Sequence, residues 1–444
     1  MRTRRGRRLT RGLGPRRARG GVFAAAALTA AAALAGTGAG AATATAAPGD
    51  GVRDSAFAPV PDASAAAPAP GGPDLPVWRS RRAAGPERDE ELRAVAARDS
   101  LDAWSVGYRE DPSGVNVPVA ERFDGARWNA TGPLAHRPSV GAAANGKLDA
   151  VLPLSARDVW AVGSWNDAAA FQDRSLAEHF DGRRWQEVPL PAEAADRSAY
   201  PSALAGTGPD DLWTVGVTAQ DRIGAPRPLA YHWNGRAWSS VATPEPGGDA
   251  LLSGAAADGD GRVWAVGVVY DARGEGRPLV ERWDGAAWRI VPTPHTAGRG
   301  ESLESVAVLG PDDVWAVGGS STPDGTNSPL TLHWDGRTWT EVAAPAVHAD
   351  LHGVTAYGEH GLIAVGEQQG VATPAFTMRW DGAAWHAEPA ATDAAGQGAS
   401  LFGVAAVPHP LPGTPTAWAV GSTLPQFQPT WRPIVQGYGG VPVR

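Results

Sequence analysis

The histidines and acids of this chain recur at fixed spacings that invite a chemical reading. His179, His232 and His333 each directly precede an aromatic residue, and Arg122, Arg282 and Arg379 hold the same place elsewhere. Three imidazoles related by rotation suggest a metal centre. Yet neighbouring units of a ring would hold them well over ~10 Å apart, against ligand bonds of ~2 Å. The exchange with arginine points instead to packing or hydrogen bonding between units. Asp158, Asp211 and Asp313 precede apolar runs and are expected to close tight turns through their own backbone. Asp258-Gly259-Asp260-Gly261 has the acid–glycine alternation of a calcium loop but lacks the remaining ligands. His348 and His352 are four apart, a ligand spacing only on a helix, and here they lead into a strand. Glu304 could line a channel, but nothing in the sequence gives it a partner. There is no Gly-x-Ser-x-Gly elbow, no His-Glu-x-x-His and no cysteine. Thiol catalysis, disulfides, iron–sulfur clusters and cysteine-ligated zinc are therefore excluded. No cofactor and no metal is expected, and the catalytic residues, if the protein is an enzyme, are not assigned.

Binding chemistry has more candidates. Seventeen of the 19 tryptophans stand at repeat positions, and Trp165 and Trp431 do not. These two, with Tyr108, Phe171, Tyr270 and Phe427, fall on the connections between the second and third strands of their repeats. Aromatics on exposed loops are platforms for sugars or protein side chains, or else fold the loops onto the scaffold. Arg174, Arg227, Arg277 and Arg432 recur just before the third strand. They could form a positive island for an anion or carboxylate through paired guanidinium contacts, or lie solvated.

These side chains are positioned by a repeat. Trp-x-Val-Gly occurs at Trp104, Trp160, Trp213, Trp264, Trp315 and Trp418, with Ile363-Ala364-Val365-Gly366 filling the one gap, at intervals of 48 to 56 residues. About twenty residues after each comes an aromatic followed by Asp-Gly or Asn-Gly, as in Phe123-Asp124-Gly125 or Trp334-Asp335-Gly336. Five residues after that aromatic, in six copies, stands Trp128, Trp185, Trp238, Trp288, Trp339 or Trp385. Asp-Gly between apolar runs is a hairpin signal, because both residues tolerate positive φ. Each copy thus reads as four short strands, A to D. In the fifth copy these are 303–309, 314–318, 330–334 and 338–342. A four-stranded repeat of ~50 residues lies in the range of propeller blades. The seventh copy lacks strand D, while Leu75-Pro76-Val77-Trp78 is a strand without a blade. Trp78 lies 26 residues before Trp104, an interval like that between other strand-D tryptophans and the next strand B. The N-terminal strand is expected to complete the last blade, which removes a bare sheet edge. The fold expected over 75–444 is all-β: a seven-bladed β-propeller of four-stranded antiparallel blades. Trp at every blade reads as packing between blade faces.

The Val-Gly end of strand B and the aromatic-turn-Trp hairpin resemble secreted kelch and galactose-oxidase-type propeller repeats of an actinobacterial kind, over roughly residues 75–441. The Asp-Gly-x-x-Trp hairpin also resembles the Asp-box of sialidase propellers. The double glycine of kelch strands appears only at Gly318-Gly319, and without cysteine the cross-linked cofactor of the copper oxidases cannot form. The resemblance implies fold, not chemistry.

Residues 2–19 carry nine arginines, an uncharged Ala/Leu stretch follows, and Ala44-Thr45-Ala46 precedes Ala47. That is the three-part pattern of an export signal over 1–46, with cleavage near Ala46. The general and the twin-arginine routes both fit. Residues 47–74 read as a disordered Ala/Pro/Gly linker. Beyond the signal, 30 basic residues face 47 acidic ones, a net charge of 30 − 47 = −17. Such a surface repels nucleic acid and anionic membranes. Loop-length variation gathers in the B–C and D–A connections, which share one end of each blade, and variable insertions on one face often mark the binding face. The expected protein is a secreted, extracellular monomer that binds a glycan, an envelope component or a protein there, without nucleic acid or membrane insertion. A polysaccharide hydrolase or lyase at the channel mouth, and a ligand-free scaffold, are the alternatives.

Overall fold

Alternating apolar residues, punctuated by turn residues, dictate short strands that must bury one face against a neighbour. The structure is a computed structural model. It describes residues 76–85, 89–132, 134–135, 145–167, 172–194, 196–220, 224–295, 300–321, 325–370, 375–391, 399–423 and 431–439. Seven antiparallel sheets of four strands form, each in the order A-B-C-D. In blade one these are Glu90–Asp99, Asp102–Glu110, Asn116–Phe123 and Trp128–Ala130. Blade seven takes A, B and C from Ser400–Ala406, Ala417–Thr423 and Arg432–Tyr438, and D from the N-terminal strand Trp78–Arg81. Trp78 pairs with Tyr438 and Arg81 with Val435, so the two ends of the chain are stitched as the repeat arithmetic requires. Among the described residues no helix is long and apolar enough to cross a membrane.

Strands A of successive blades touch all the way round, including blade seven against blade one, and so form the inner ring. A–B and C–D turns share one end of each blade. The C–D glycines 125, 182, 235 and 336 lie so close to Leu101, Arg157, Asp210 and Asp312 that a Cβ would meet them. The B–C and D–A connections occupy the opposite end, where the Asn116 N–H donates to Asn145 Oδ1 at 2.8 Å. Strands B and C run further into these connections than their apolar residues do. In blade five they span Asp313–Ser321 and Asn327–Trp334, with Ser321 paired to Asn327. Backbone pairing continues where hydrophobic alternation has stopped.

The core lies between blades. Each strand-B tryptophan is at most 3% exposed. It packs edge-on against the strand-D tryptophan of the next blade, at 5.3–5.8 Å and 80–89°. Such pairs add ~0.5–1.5 kcal/mol beyond burial. Where blade six has Ile363 instead, it packs with Trp78 and Tyr438 of blade seven. The other ring face belongs to the histidines and arginines before the strand-C aromatic. His179, His232 and His333 lie 4.4 Å from Trp160, Trp213 and Trp315. Arg122 and Arg282 sit over Trp104 and Trp264. These contacts are within a blade, not between blades.

The aspartates before strand B correct their expected role as turn closers. Asp158, Asp211 and Asp313 accept the Nε2 of His179, His232 and His333 at 2.8–2.9 Å. Asp158 and Asp313 also accept the indole N–H of Trp160 and Trp315. The acid holds its histidine against the tryptophan, each within its own blade.

Candidate functional site: the axial mouth

The glycine of Trp-x-Val-Gly determines what reaches the axis. A Cβ on Gly107, Gly163, Gly216, Gly267, Gly318, Gly366 or Gly421 would lie 1.9–2.1 Å from a strand-A carbonyl oxygen. Strand A folds over that glycine, and all seven blades have a register shift directly opposite it. The residue skipped by the ladder is Arg93, Asp149, Ser202, Ser253, Glu304, His352 or Phe402, in blade order. All seven are half-buried. β-Bulges re-aim a side chain in this way.

These side chains converge across the ring. Arg93 of blade one acts electrostatically on Glu304 of blade five and His352 of blade six. Its guanidinium pairs with Glu91 at 2.9 Å and with Asp149 of blade two at 3.5 Å, and lies 4.8 Å from the ring centre of Phe402 of blade seven. Lys147 Nζ meets the same Asp149 oxygen at 3.0 Å. Burial works against the charge of Arg93, but Glu91 and Asp149 outweigh it and raise its pKa. His352, 5.8 Å from Phe402, is held neutral, its pKa pushed down to about 4 by burial and by Arg93.

On the other side, burial pushes Glu304 up to about 7, Asp350 adds to that, and hydrogen bonding to Ser253 and the charge of Arg93 oppose it. Glu304 therefore has the neighbours that its sequence context did not disclose. Asp350 is raised by burial and by Glu367, while Asn327 Nδ2 donates to it at 2.6 Å. Ser400 Oγ donates to Glu367 at 2.8 Å.

Several expected site residues are elsewhere than the loops assigned to them. Tyr108 and Tyr270 are on strand B, half-buried, not on exposed loops. Burial raises the pKa of both hydroxyls. Tyr108 is raised further by Glu91, to which it hydrogen-bonds, and Tyr270, up to about 12, by Glu304. Both therefore belong to the axial mouth. Trp165 also lies within strand B and packs against the core between blades one and two. Trp431 is 40% exposed at the start of strand C. Phe171 and Phe427 lie outside the described residues.

The arginines do not make a positive island. Arg174 pairs with Asp167 at 3.3 Å, Arg227 with Glu245 at 3.3 Å and Arg277 with Asp271 at 3.4 Å. Each charge is met by an acid of its own rim connection or an adjoining strand end. Arg432 buries an Nε that has no hydrogen-bond partner among the described residues. Asp258 is a turn residue: its Oδ1 accepts the N–H groups of Asp260 and Arg262 at 2.9 and 3.0 Å.

Sequence reasoning missed Arg93, Asp149, Ser202, Ser253 and Phe402. A signal existed: in six copies the bulged residue stands fourteen positions before the strand-B glycine, as Arg93 before Gly107. Blade seven breaks the count because its A–B connection is longer.

No protein-family model matches the chain, and no curated protein does. Among solved structures it is similar to YCF48 from Cyanidioschyzon merolae, at 13% identity and a TM-score of 0.46, over 81% of this chain and 98% of that one. It is similar to an ulvan lyase at 12% identity and 0.48, over 80% and 96%. A fucose-binding lectin of Aleuria aurantia matches at 12% and 0.40, over 69% and 97%. Likenesses this distant leave function to the chain's own residues: a seven-bladed propeller whose axial mouth gathers charged, hydroxyl and aromatic side chains.

Proposed function

We propose that this protein is an exported recognition module of kelch-like kind that binds a hydroxyl-rich ligand, a glycan or a glycan-bearing envelope component, at the axial mouth. One observation carries the reading. Side chains from blades one, two, five, six and seven meet across the ring, each delivered by the same bulge. They present donors, acceptors and an aromatic ring close to one another, the mixture by which sites fix polar ligands. Trp431 at the rim adds an exposed aromatic face. The export-signal pattern supports placement outside the cell, and N-terminal sequencing of protein from the medium should begin near Ala47. A glycan array probed with that protein should give binding that falls at least ~10-fold on Tyr270→Ala, a loss typical of one polar anchor. No binding anywhere on the array sinks the proposal.

A second reading is favoured by Glu304 alone. A carboxyl with a pKa of about 7 beside Asp350 suits acid–base chemistry on a polysaccharide. Turnover of a bound glycan, lost in Glu304→Gln while binding persists, would select the hydrolase or lyase.

A further inference from the structure

Among the described residues the axial mouth holds two cations, and both are engaged by acids of the same mouth. Arg93 is pinned between Glu91 and Asp149, with its flat face towards Phe402, and Lys147 is drawn to Asp149. Ser422 donates to the second Glu91 oxygen at 3.4 Å, and the Tyr108 hydroxyl hydrogen-bonds the same carboxylate. Opposite them stand Glu304, Asp350 and Glu367, whose neighbours are Ser253, Asn327 and Ser400. A carboxylated or sulfated ligand entering here would meet carboxylates whose partners are hydroxyls and an amide. It could reach the Arg93 guanidinium only by displacing Glu91 or Asp149. Like-charge juxtaposition is a strong means of excluding wrong partners. An uncharged sugar breaks no ion pair, and its hydroxyls can donate to the carboxylates and to the Ser202 and Ser253 oxygens and accept from Tyr270.

We propose that the axial mouth selects uncharged glycans and rejects carboxylated and sulfated ones, with Asp149 and Glu91 as the residues that set this selectivity by locking Arg93. The inference rests on recognition at this mouth and deepens it by naming the ligand class. Asp149 is a specificity residue because its oxygen is shared between Arg93 and Lys147. Neutralising it removes one of the two acids that hold Arg93 and the acid paired with Lys147, without emptying the space.

The test compares the intact protein with Asp149→Asn and Glu91→Gln on three probe sets: neutral gluco-, manno- and xylo-oligosaccharides, uronic-acid oligomers, and sulfated oligomers. The readout is the ratio of acidic to neutral affinity by calorimetry at pH 7, with melting temperatures to show that each variant is folded. The wild type should bind a neutral set at least ~10-fold more tightly than either acidic set, and the ratio should move towards the acidic sets by about tenfold in Asp149→Asn. Glu91→Gln, nearly isosteric, should shift it the same way and serves if Asp149→Asn fails to fold. Equal wild-type affinity for neutral and acidic sets overturns the selectivity while leaving recognition intact. So does an unchanged ratio in both folded variants. Silence of wild type and variants on all three sets overturns recognition itself, and the selectivity with it.

Discussion

The strand-C position two residues before the aromatic shows how one side chain answers its neighbour. In three blades it is polar and holds the D–A connection that arrives from the preceding blade. Glu121 accepts the N–H of Gly85 at 2.7 Å, Glu178 that of Ala135 at 3.2 Å, and Gln436 makes two bonds to Ala391 at 2.7 and 3.2 Å. Where proline occupies that point of the connection, no N–H is offered. In the repeats with Pro191, Pro294 and Pro345 at that position, the strand-C residues are Tyr231, Leu332 and Met378. Blade four breaks the match: the repeat position of Pro244 is paired with Glu281, which is 0% exposed with both oxygens lacking a partner among the described residues. Burial pushes Glu281 up to about 8. A carboxyl with its pKa raised on folding favours the folded state at low pH and loses that advantage as pH rises from about 4.5 through about 8. Glu281→Met, copying blade six, should stabilise the protein by ~1–4 kcal/mol at pH 8 and by less at pH 5. Urea titrations at the two pH values measure this. An equal effect at both would show that the pKa of Glu281 is not raised on folding.

At the scale of the element, two features govern the inner ring. The first is the bulge of strand A. Gly318→Ala would press a methyl to 2.0 Å from the Ser302 carbonyl oxygen and 2.8 Å from Leu303 Cα. Both are backbone, so no side chain can step aside. A loss of about 3 kcal/mol or more is expected, read as a lower urea midpoint. Gly310→Ala, which meets nothing within 4 Å, is the control. The second feature is the connection that leads from the closing strand into blade one. Glu90 and Glu121, each 1% exposed, hydrogen-bond one another beneath the backbone of Ala84 and Gly85. Burial, then the neighbouring acid, raises Glu90, against the pull of Arg109. The pair is stable while it shares a proton. It weakens as pH climbs above the ordinary carboxylate range, since both raised groups favour folding only when protonated. Glu90→Gln keeps a donor towards Glu121 and should flatten that alkaline loss in melting temperature between pH 6 and pH 9. A variant as pH-sensitive as the wild type would refute the shared proton.

At the scale of the molecule, closure joins the ends of the chain. Trp78 is 5% exposed and lies 4.9 Å from Tyr438, and the Gly439 N–H bonds the Val77 carbonyl at 3.1 Å. The A–B connection of blade seven adds a second tie at the same end, where the Leu411 N–H donates to Ser100 of blade one at 2.8 Å. In a ring every interface supports its neighbours, so removing one strand should cost the whole domain. Deleting residues 48–81 should lower the melting temperature well below that of a 48–70 deletion, and Trp78→Ala should destabilise by ~3–5 kcal/mol. Equal melting of the two truncations would show that the ring does not depend on its closing strand.

The number of blades, their strand order and the closing strand were legible in the chain alone. They follow from steric facts repeated in most or all copies: a tryptophan that must be buried, a glycine that admits a crossing carbonyl, and in six copies an Asp-Gly or Asn-Gly turn. Repetition turns weak local signals into a strong one. The axial residues carry no such repetition of type, since Arg93, Asp149, Ser202, Ser253, Glu304, His352 and Phe402 range from cation to acid, hydroxyl and aromatic ring. They become a set only when closure brings strand A of every blade to one axis. The same step moved Tyr108 and Tyr270 from presumed loops onto strands, because backbone pairing outruns the hydrophobic pattern. It also matched the rim arginines with acids of neighbouring strands and connections. Local sterics write the blade into the sequence, while electrostatic partnership across the ring depends on distances that exist only once the ring has closed.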